Sequence, residues 1–256
     1  MCIITFHYND HIHYKLIIAA NRDEFYERPA AQAHFWEDKH NVLAGRDLEA
    51  MGTWLGMTTT GRFAALTNFR DPKEFDKKKQ SRGHIVANFL TSNDEPKSYL
   101  QHVQREKDAY NGFNVLVGTT RSLYYYSNRN NDIMRVPSGT HSISNHFINT
   151  PWPKVERAKQ LMRDYVMKVT HVEVDELFHQ LKNNELATDE KLPNTGIDRS
   201  LERQLSPIFI QTDQYGTRSS TVILMTHDGE VTFVERTYQN GKFRDERSFQ
   251  FEIKKR

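Results

Sequence analysis

Apolar and polar positions divide the chain into strand blocks at its two ends and helix blocks between them. Residues 2–7 and 14–19 are short apolar stretches rich in β-branched and aromatic side chains, parted by the polar turn Asn9-Asp10-His11, and both read as strands. Residues 53–58 and 62–67 form a second hairpin candidate around Thr59-Thr60-Gly61. From Gly83 to Tyr110 the spacing turns helical. Ile85, Phe89 and Leu90 share one face and, after a break at 94–96, so do Tyr99, Leu100 and Val103. Residues 113–118, 123–127 and 141–144 return to strand character. Pro153 opens the longest helical pattern, 155–166, with Leu161, Met162 and Tyr165 as its apolar face, and 174–181 repeats the pattern. The polar stretch 183–205 carries Pro193 and Gly196 and predicts a surface excursion with at most a short helix. Strands at 219–225, 231–238 and 248–253 close the chain, the first two turning at His227-Asp228-Gly229.

That order argues against a doubly wound parallel sheet. It predicts an α+β fold of antiparallel sheets with helices packed outside. No internal repeat or low-complexity linker interrupts it, so residues 1–256 read as one domain. Hydrophobic residues make up 37% and charged residues 27%, the balance of an ordinary globular protein. The net charge of +2, with both signs interspersed, excludes a nucleic-acid binder dominated by phosphate neutralisation. The run Lys77-Lys78-Lys79, followed by Ser81-Arg82-Gly83, reads as a solvated loop. No stretch approaches the roughly 20 apolar residues that span a bilayer, and the N-terminus shows no secretory pattern. The expected location is cytoplasmic, with no integral membrane segment.

A single cysteine excludes an internal disulfide and a multi-cysteine metal site. The twelve histidines show no metal-ligand spacing. His7 and His13 flank the first turn and could approach each other, but two histidines do not make a zinc site, and no metal is expected. His84 and His146 are available as haem ligands, with no spacing that demands one.

The lone thiol, Cys2, follows the initiator methionine. An ordinary thiol is mostly protonated at neutral pH and needs a nearby base to act as a nucleophile. Removal of Met1, expected because cysteine is small, would supply one: the α-amine of Cys2, with a pKa of about 8. The commoner fate of a lone cysteine is burial as a small hydrophobe. Asn21-Arg22-Asp23-Glu24 follows the second strand. Four polar residues there form either a solvated turn or the lining of a cleft at the sheet edge. In a cleft, Arg22 would hold a thiolate or a carboxylate, and Asp23 would accept from the terminal ammonium.

Cys2 followed by Asn21-Arg22-Asp23-Glu24 resembles the NRDE family, which takes its name from that tetrapeptide and includes transport and Golgi organisation protein 2. The likeness continues through Gly52-Thr53-Trp54-Leu55-Gly56, Ala65-Leu66-Thr67-Asn68 and Gly139-Thr140-His141-Ser142-Ile143-Ser144-Asn145. It ends in Tyr215-Gly216-Thr217-Arg218-Ser219-Ser220-Thr221 and Glu235-Arg236. That family in turn resembles cysteine-type N-terminal-nucleophile hydrolases such as bile salt hydrolases and penicillin V acylases. The resemblance implies a four-layer αββα sandwich with Cys2 as nucleophile. It also implies that Arg22 and Asp23 match the arginine and aspartate at the end of the hydrolases' next strand, although these are adjacent here and slightly separated there. Asn145 matches an oxyanion asparagine, and Arg236 a late arginine near the cysteine.

The residue chemistry is compatible with those roles. An Asn amide can meet an oxyanion, and Asn68 is a second candidate donor. Arg218 and Arg236 lie in or beside apolar strands, where an unpaired guanidinium is costly. Asp23, Glu24 or Glu235 could partner them, and so could an anionic ligand; a structural ion pair remains an equal reading. Asn21 and Glu24 join Asn68 and Arg218 as binding candidates.

Two functions stand. The first is an amidohydrolase that cleaves linear, non-peptide C–N bonds of a small amide or acyl substrate and needs no cofactor. The second follows from the resemblance to transport and Golgi organisation relatives, which are linked to haem trafficking and lipid or acyl-CoA homeostasis. It is a non-catalytic carrier of haem or an acyl group, in which Arg22, Arg218 and Arg236 meet propionates or phosphates.

Overall fold

Four polar residues in a row do not end the second strand. In the computed structural model, which describes residues 2–254, β1 (Cys2–Tyr8) pairs with β2 (Tyr14–Phe25), and β2 runs through Asn21-Arg22-Asp23-Glu24. The chain continues through β3 (Ala30–Phe35), β4 (Val42–Asp47), β5 (Leu55–Thr58) and β6 (Phe63–Asn68) to α1 (Gly83–Thr91) and α2 (Pro96–Arg105). Next come β7 (Phe113–Gly118), β8 (Leu123–Ser127), β9 (Asp132–Arg135) and β10 (Gly139–Ile143). The helices α3 (Pro153–Val166), α4 (Val174–Leu181) and α5 (Arg199–Gln204) precede β11 (Tyr215–Thr226), β12 (Glu230–Gln239) and β13 (Lys242–Glu252). The hydropathy pattern left β3, β4 and β9 unmarked.

The strands form two antiparallel sheets. One has six strands in the order β10-β1-β2-β11-β12-β13, and the other has seven in the order β3-β4-β5-β6-β7-β8-β9. Ile4, Phe6 and Ile18 of the first sheet meet Met57, Phe63 and Leu116 of the second in the core between them. α1 and α2 cover the outer face of the seven-stranded sheet, setting Val86, Phe89 and Leu100 on Val42, Val115 and Val117. α3 and α4 cover the other sheet with Met162, Leu177 and Phe178 on Ile3, Ile17 and Val222. The result is a four-layer αββα sandwich. Among the described residues, no helix is long and apolar enough to cross a membrane.

Side chains alternate between the faces of a strand, so the core contacts assign every neighbour. In β1, Ile4 faces the other sheet and Ile3 the helices, which sends Cys2 inward. In β2, Ala20 faces inward and Ala19 outward, so Arg22 joins Cys2 on the inner face. In β12, Phe233 is inner and Val234 outer, which makes Glu235 inner and Arg236 outer. The first turn does not bring His7 and His13 together. The His7 ring stands 6.5 Å from His11, while His13 stacks on His171 at 4.9 Å.

Candidate active site

Cys2 stands opposite Arg22 in the β1–β2 ladder, with both side chains between the sheets. The backbone N–H of Asp23 favours the Cys2 thiolate. Burial pushes the thiol pKa up, the Asp23 carboxylate pushes the same way, and Arg22 pulls against them. Cys2 is therefore a neutral thiol at pH 7 and needs a base to react.

A cavity of about 300 Å³ opens over Cys2, with Arg22, Asp23, Glu24, Thr53, Trp54 and Asn68 in its walls. Lys77, Lys79 and Arg82 also line it, so the lysine-rich segment is a wall of the cavity and not merely a solvated loop. Burial lowers the pKa of Arg82, and one of its N–H groups donates to the Gly112 carbonyl at 3.1 Å. The Arg22 guanidinium lies over the Trp54 ring at 4.1 Å, a contact worth about 1–2 kcal/mol where water is excluded. Trp54 occupies the space above Gly45, where a Cβ would sit 2.5 Å from the indole ring.

The two candidate asparagines stand one behind the other. Asn68 ends β6 and lines the Cys2 cavity. Asn145 is fully buried behind it and donates from Nδ2 to the Asn68 carbonyl at 3.0 Å. Ser144 Oγ lies 3.0 Å from the Cys2 carbonyl and 3.1 Å from Asn145 Oδ1, one hydroxyl shared between the two. Asn145 thus holds Asn68 from behind, and Ser144 ties the pair to the start of β1.

Within the tetrapeptide the roles diverge. Asp23 is buried; its Oδ1 accepts from Thr217 Oγ1 at 2.7 Å and its carbonyl from the Tyr215 hydroxyl at 2.9 Å. Burial raises the Asp23 pKa, while Lys154 and Thr217 pull it down. Glu24 Oε1 accepts from the Phe25 N–H at 3.0 Å at the cavity mouth. Asn21 points to the helix layer, where Nδ2 donates to the Leu181 and Ile208 carbonyls, both at 2.9 Å.

The sequence fits, over residues 1–240, the family described as Transport and Golgi organisation 2. The chain belongs to that family. The Transport and Golgi organization protein 2 homolog of Bos taurus is 40% identical over 258 residues, covering 93% of each chain. The Homo sapiens homolog is 37% identical over 260 residues, with the same 93% coverage of each. Among solved structures, the C2A mutant of the conjugated bile acid hydrolase from Clostridium perfringens matches with a TM-score of 0.53 at 10% identity, covering 99% of this chain and 98% of that one. At that identity the likeness is one of fold alone.

In this Transport and Golgi organisation 2 chain, Arg236 does not reach the Cys2 cavity. Its guanidinium lies over the Phe178 ring at 4.1 Å and pairs with Asp175 of α4 and with Glu246 of β13, the latter at 2.6 Å. The resemblance had placed it beside the cysteine; strand parity puts it on the opposite face. Arg218 reaches a second cavity, of about 650 Å³, which shares Arg22 and Trp54 with the first and also contains Glu235, Arg244 and Arg247. Arg218 Nη1 donates to the Phe25 and Arg28 carbonyls at 2.7 and 3.0 Å. The histidines considered for haem line neither of these two cavities; His84 Nε2 lies 2.6 Å from the Ala50 carbonyl and His146 Nδ1 2.9 Å from Thr150 Oγ1.

Of the residues near the site, Lys154 was not named from the sequence, Arg82 was read as part of a solvated loop, and Glu235 was named only as a possible partner of an arginine. The alternation Val231, Phe233, Glu235 was the signal for the last. Glu235 is buried and ties the sheets together, its Oε1 accepting from the Ala33 N–H of β3 at 2.6 Å. Burial pushes its pKa up to about 7, against the pull of the Ala33 N–H and Arg22. The unfolded chain loses this proton at about pH 4.3. Between that value and 7 the folded chain binds the extra proton, so stability falls as pH rises, by about 3 kcal/mol in all. Glu235→Gln is expected to flatten this slope and to gain on the wild type as pH increases. Urea unfolding across that range measures it, and parallel pH profiles for the two proteins would refute it.

Proposed function

We propose that this chain is a cysteine amidohydrolase of the N-terminal-nucleophile kind, acting on linear, non-peptide amides. One juxtaposition supports the reading. Cys2, opposite Arg22 in the ladder, opens into a cavity walled by Arg22 and Asn68. The chemistry needs Met1 removed, a step at a residue outside the described ones. The α-amine of Cys2 then takes the thiol proton as sulfur attacks the acyl carbonyl and a C–S bond forms. Asn68, held by Asn145, donates to the oxyanion. Collapse breaks the C–N bond, and the α-ammonium returns its proton to the leaving amine. Water attacks the thioester with the same amine as base, releasing a carboxylic acid and restoring the thiol. No cofactor takes part.

Intact mass of the purified protein reports whether Met1 is gone. A panel of N-acyl amides, offered to wild type, Cys2→Ser and Cys2→Ala, tests the chemistry. An amine burst in the wild type alone supports the reading; equal release by all three defeats it.

The second cavity supports a second reading, the binding and transfer of haem or an acyl compound without chemistry. Arg22, Arg218, Arg244 and Arg247 suit propionates or phosphates. Haem titration followed at the Soret band should then saturate at one equivalent, and Arg218→Met should weaken binding about tenfold. A response that never saturates removes this reading.

A further inference from the structure

One side of the Cys2 cavity is a long connection between β6 and α1. Residues 69–82 cross it with a single helical turn at Pro72–Glu74, and residues 75–77 and 79–82 line the cavity. Its ends are fixed to the rest of the fold. The Arg70 N–H donates to the Asn145 carbonyl at 2.7 Å, and the Thr53 N–H to the Gly83 carbonyl at 3.2 Å. Residues 72–78 between them are all exposed, Phe75 among them. A stretch that buries so little is held down by its polar contacts and opens at low cost when they are lost.

Those contacts converge on the residues that lead into β7. Asn111 is buried and meets Asp76 twice: its Oδ1 accepts from the Asp76 N–H at 2.9 Å, and its Nδ2 donates to the Asp76 carbonyl at 2.8 Å. The Gly112 carbonyl accepts from the Phe69 N–H at 2.9 Å and from Arg82 at 3.1 Å, at the two ends of the connection. The Gln80 N–H donates to the Ala109 carbonyl at 2.9 Å. Arg129, which follows β8, adds ion pairs to Asp71 at 3.4 Å and to Glu74. It passes close over Gly112, where a Cβ would lie 2.8 Å from its Nε. Ion pairs this near the surface hold weakly and are screened by salt. The buried amide of Asn111 is the firmer hold on the middle of the stretch.

We propose that Asn111 is a positioning residue of the Cys2 site, a clip that holds residues 71–79 down as a wall of the cavity and so sets the size of the molecule that reaches the thiol. That the molecule is an amide substrate rests on the hydrolase reading; the clip itself does not. Asn111 lines the cavity beside the strap it holds, and both ends of its amide are engaged on Asp76, so it fixes the wall instead of meeting the substrate. With the clip closed the cavity measures about 300 Å³, the low end for a ligand pocket. Opening breaks the two bonds together and withdraws Phe75, Asp76 and Lys77 from the wall.

Because the chain has one thiol, the test is direct. Cys2 is alkylated with iodoacetamide and, separately, with a bulky pyrenyl maleimide, and both rates are read by intact mass. Asn111→Ala is expected to raise the maleimide rate about tenfold, the scale of two lost hydrogen bonds. The small reagent already fits, so the iodoacetamide rate should change less than about twofold. A merely structural asparagine would alter stability and shift both rates alike, and an unchanged ratio of the two rates overturns the proposal. If Asn111→Ala does not fold, Asp76→Pro opens the clip from its exposed side by removing the N–H that Asn111 accepts. Phe75 is already extended, at φ −78° and ψ 120°, as the residue before a proline must be. The same selective gain is expected there, and an unchanged ratio again overturns the proposal. Failure of the wild type to turn over acyl amides would end the hydrolase reading and leave both alkylation rates standing.

Discussion

Cys2→Ala is expected to abolish the amine burst and to lower turnover of a cleaved acyl amide by about a thousandfold or more, the scale of losing a covalent nucleophile. No other thiol exists in the chain, and the hydroxyls of Thr53 and Ser81 in the cavity wall are far weaker nucleophiles without a base beside them. Cys2→Ser separates two causes. The hydroxyl fits the same space and keeps the α-amine, but it is a far weaker nucleophile, so the burst should shrink with it. Because Cys2 is partly exposed, neither substitution should shift the unfolding midpoint greatly, and lost activity can be read as lost chemistry. A full burst in Cys2→Ala would remove the thiol from the mechanism.

Asn21→Ala is expected to cost the fold about 3–5 kcal/mol, and the cause is not catalytic. The Asn21 amide donates to the Leu181 and Ile208 carbonyls, and its Oδ1 accepts from Ser220 Oγ at 2.6 Å, all out of water. Truncation leaves three polar groups buried without their partner. Those bonds pin the end of α4 and the segment before β11 to the sheet, so the helix layer should loosen with them. Asn21→Asp should be worse, since a carboxylate would face two carbonyl oxygens. Urea unfolding gives the comparison. A loss below about 1 kcal/mol would mean that Asn21 does not hold the layers together.

How far the sequence was legible depends on how local each cause was. The helix over 174–181 matches α4, and the spacing at 155–166 lies within α3, because an amphipathic period is written in consecutive residues. β3 and β4 escaped notice because Ala30, Ala31, Ala33, Ala44 and Gly45 are weak strand formers. Their place comes from pairing with neighbours. The polar run after Ala20 gave no sign that it would continue a buried strand. The groups that satisfy Asn21 come from residues 181, 208 and 220, and a hydroxyl that bonds the Asp23 carboxylate comes from residue 217.

The sequence by itself determined the family, the blocks of strands at the two ends with helices between them, and the presence of Cys2, Arg22 and Asn68, which do come to one cavity. Tertiary structure alone decided that Asn21 faces the helices and that Asn145 stands behind Asn68. It also set Glu235 on the inner face and Arg236 on the outer. The physical reason is common to all of these. Hydrophobic periodicity is a property of neighbours along the chain, whereas a buried charge or amide is tolerated only where distant segments bring its partner to it.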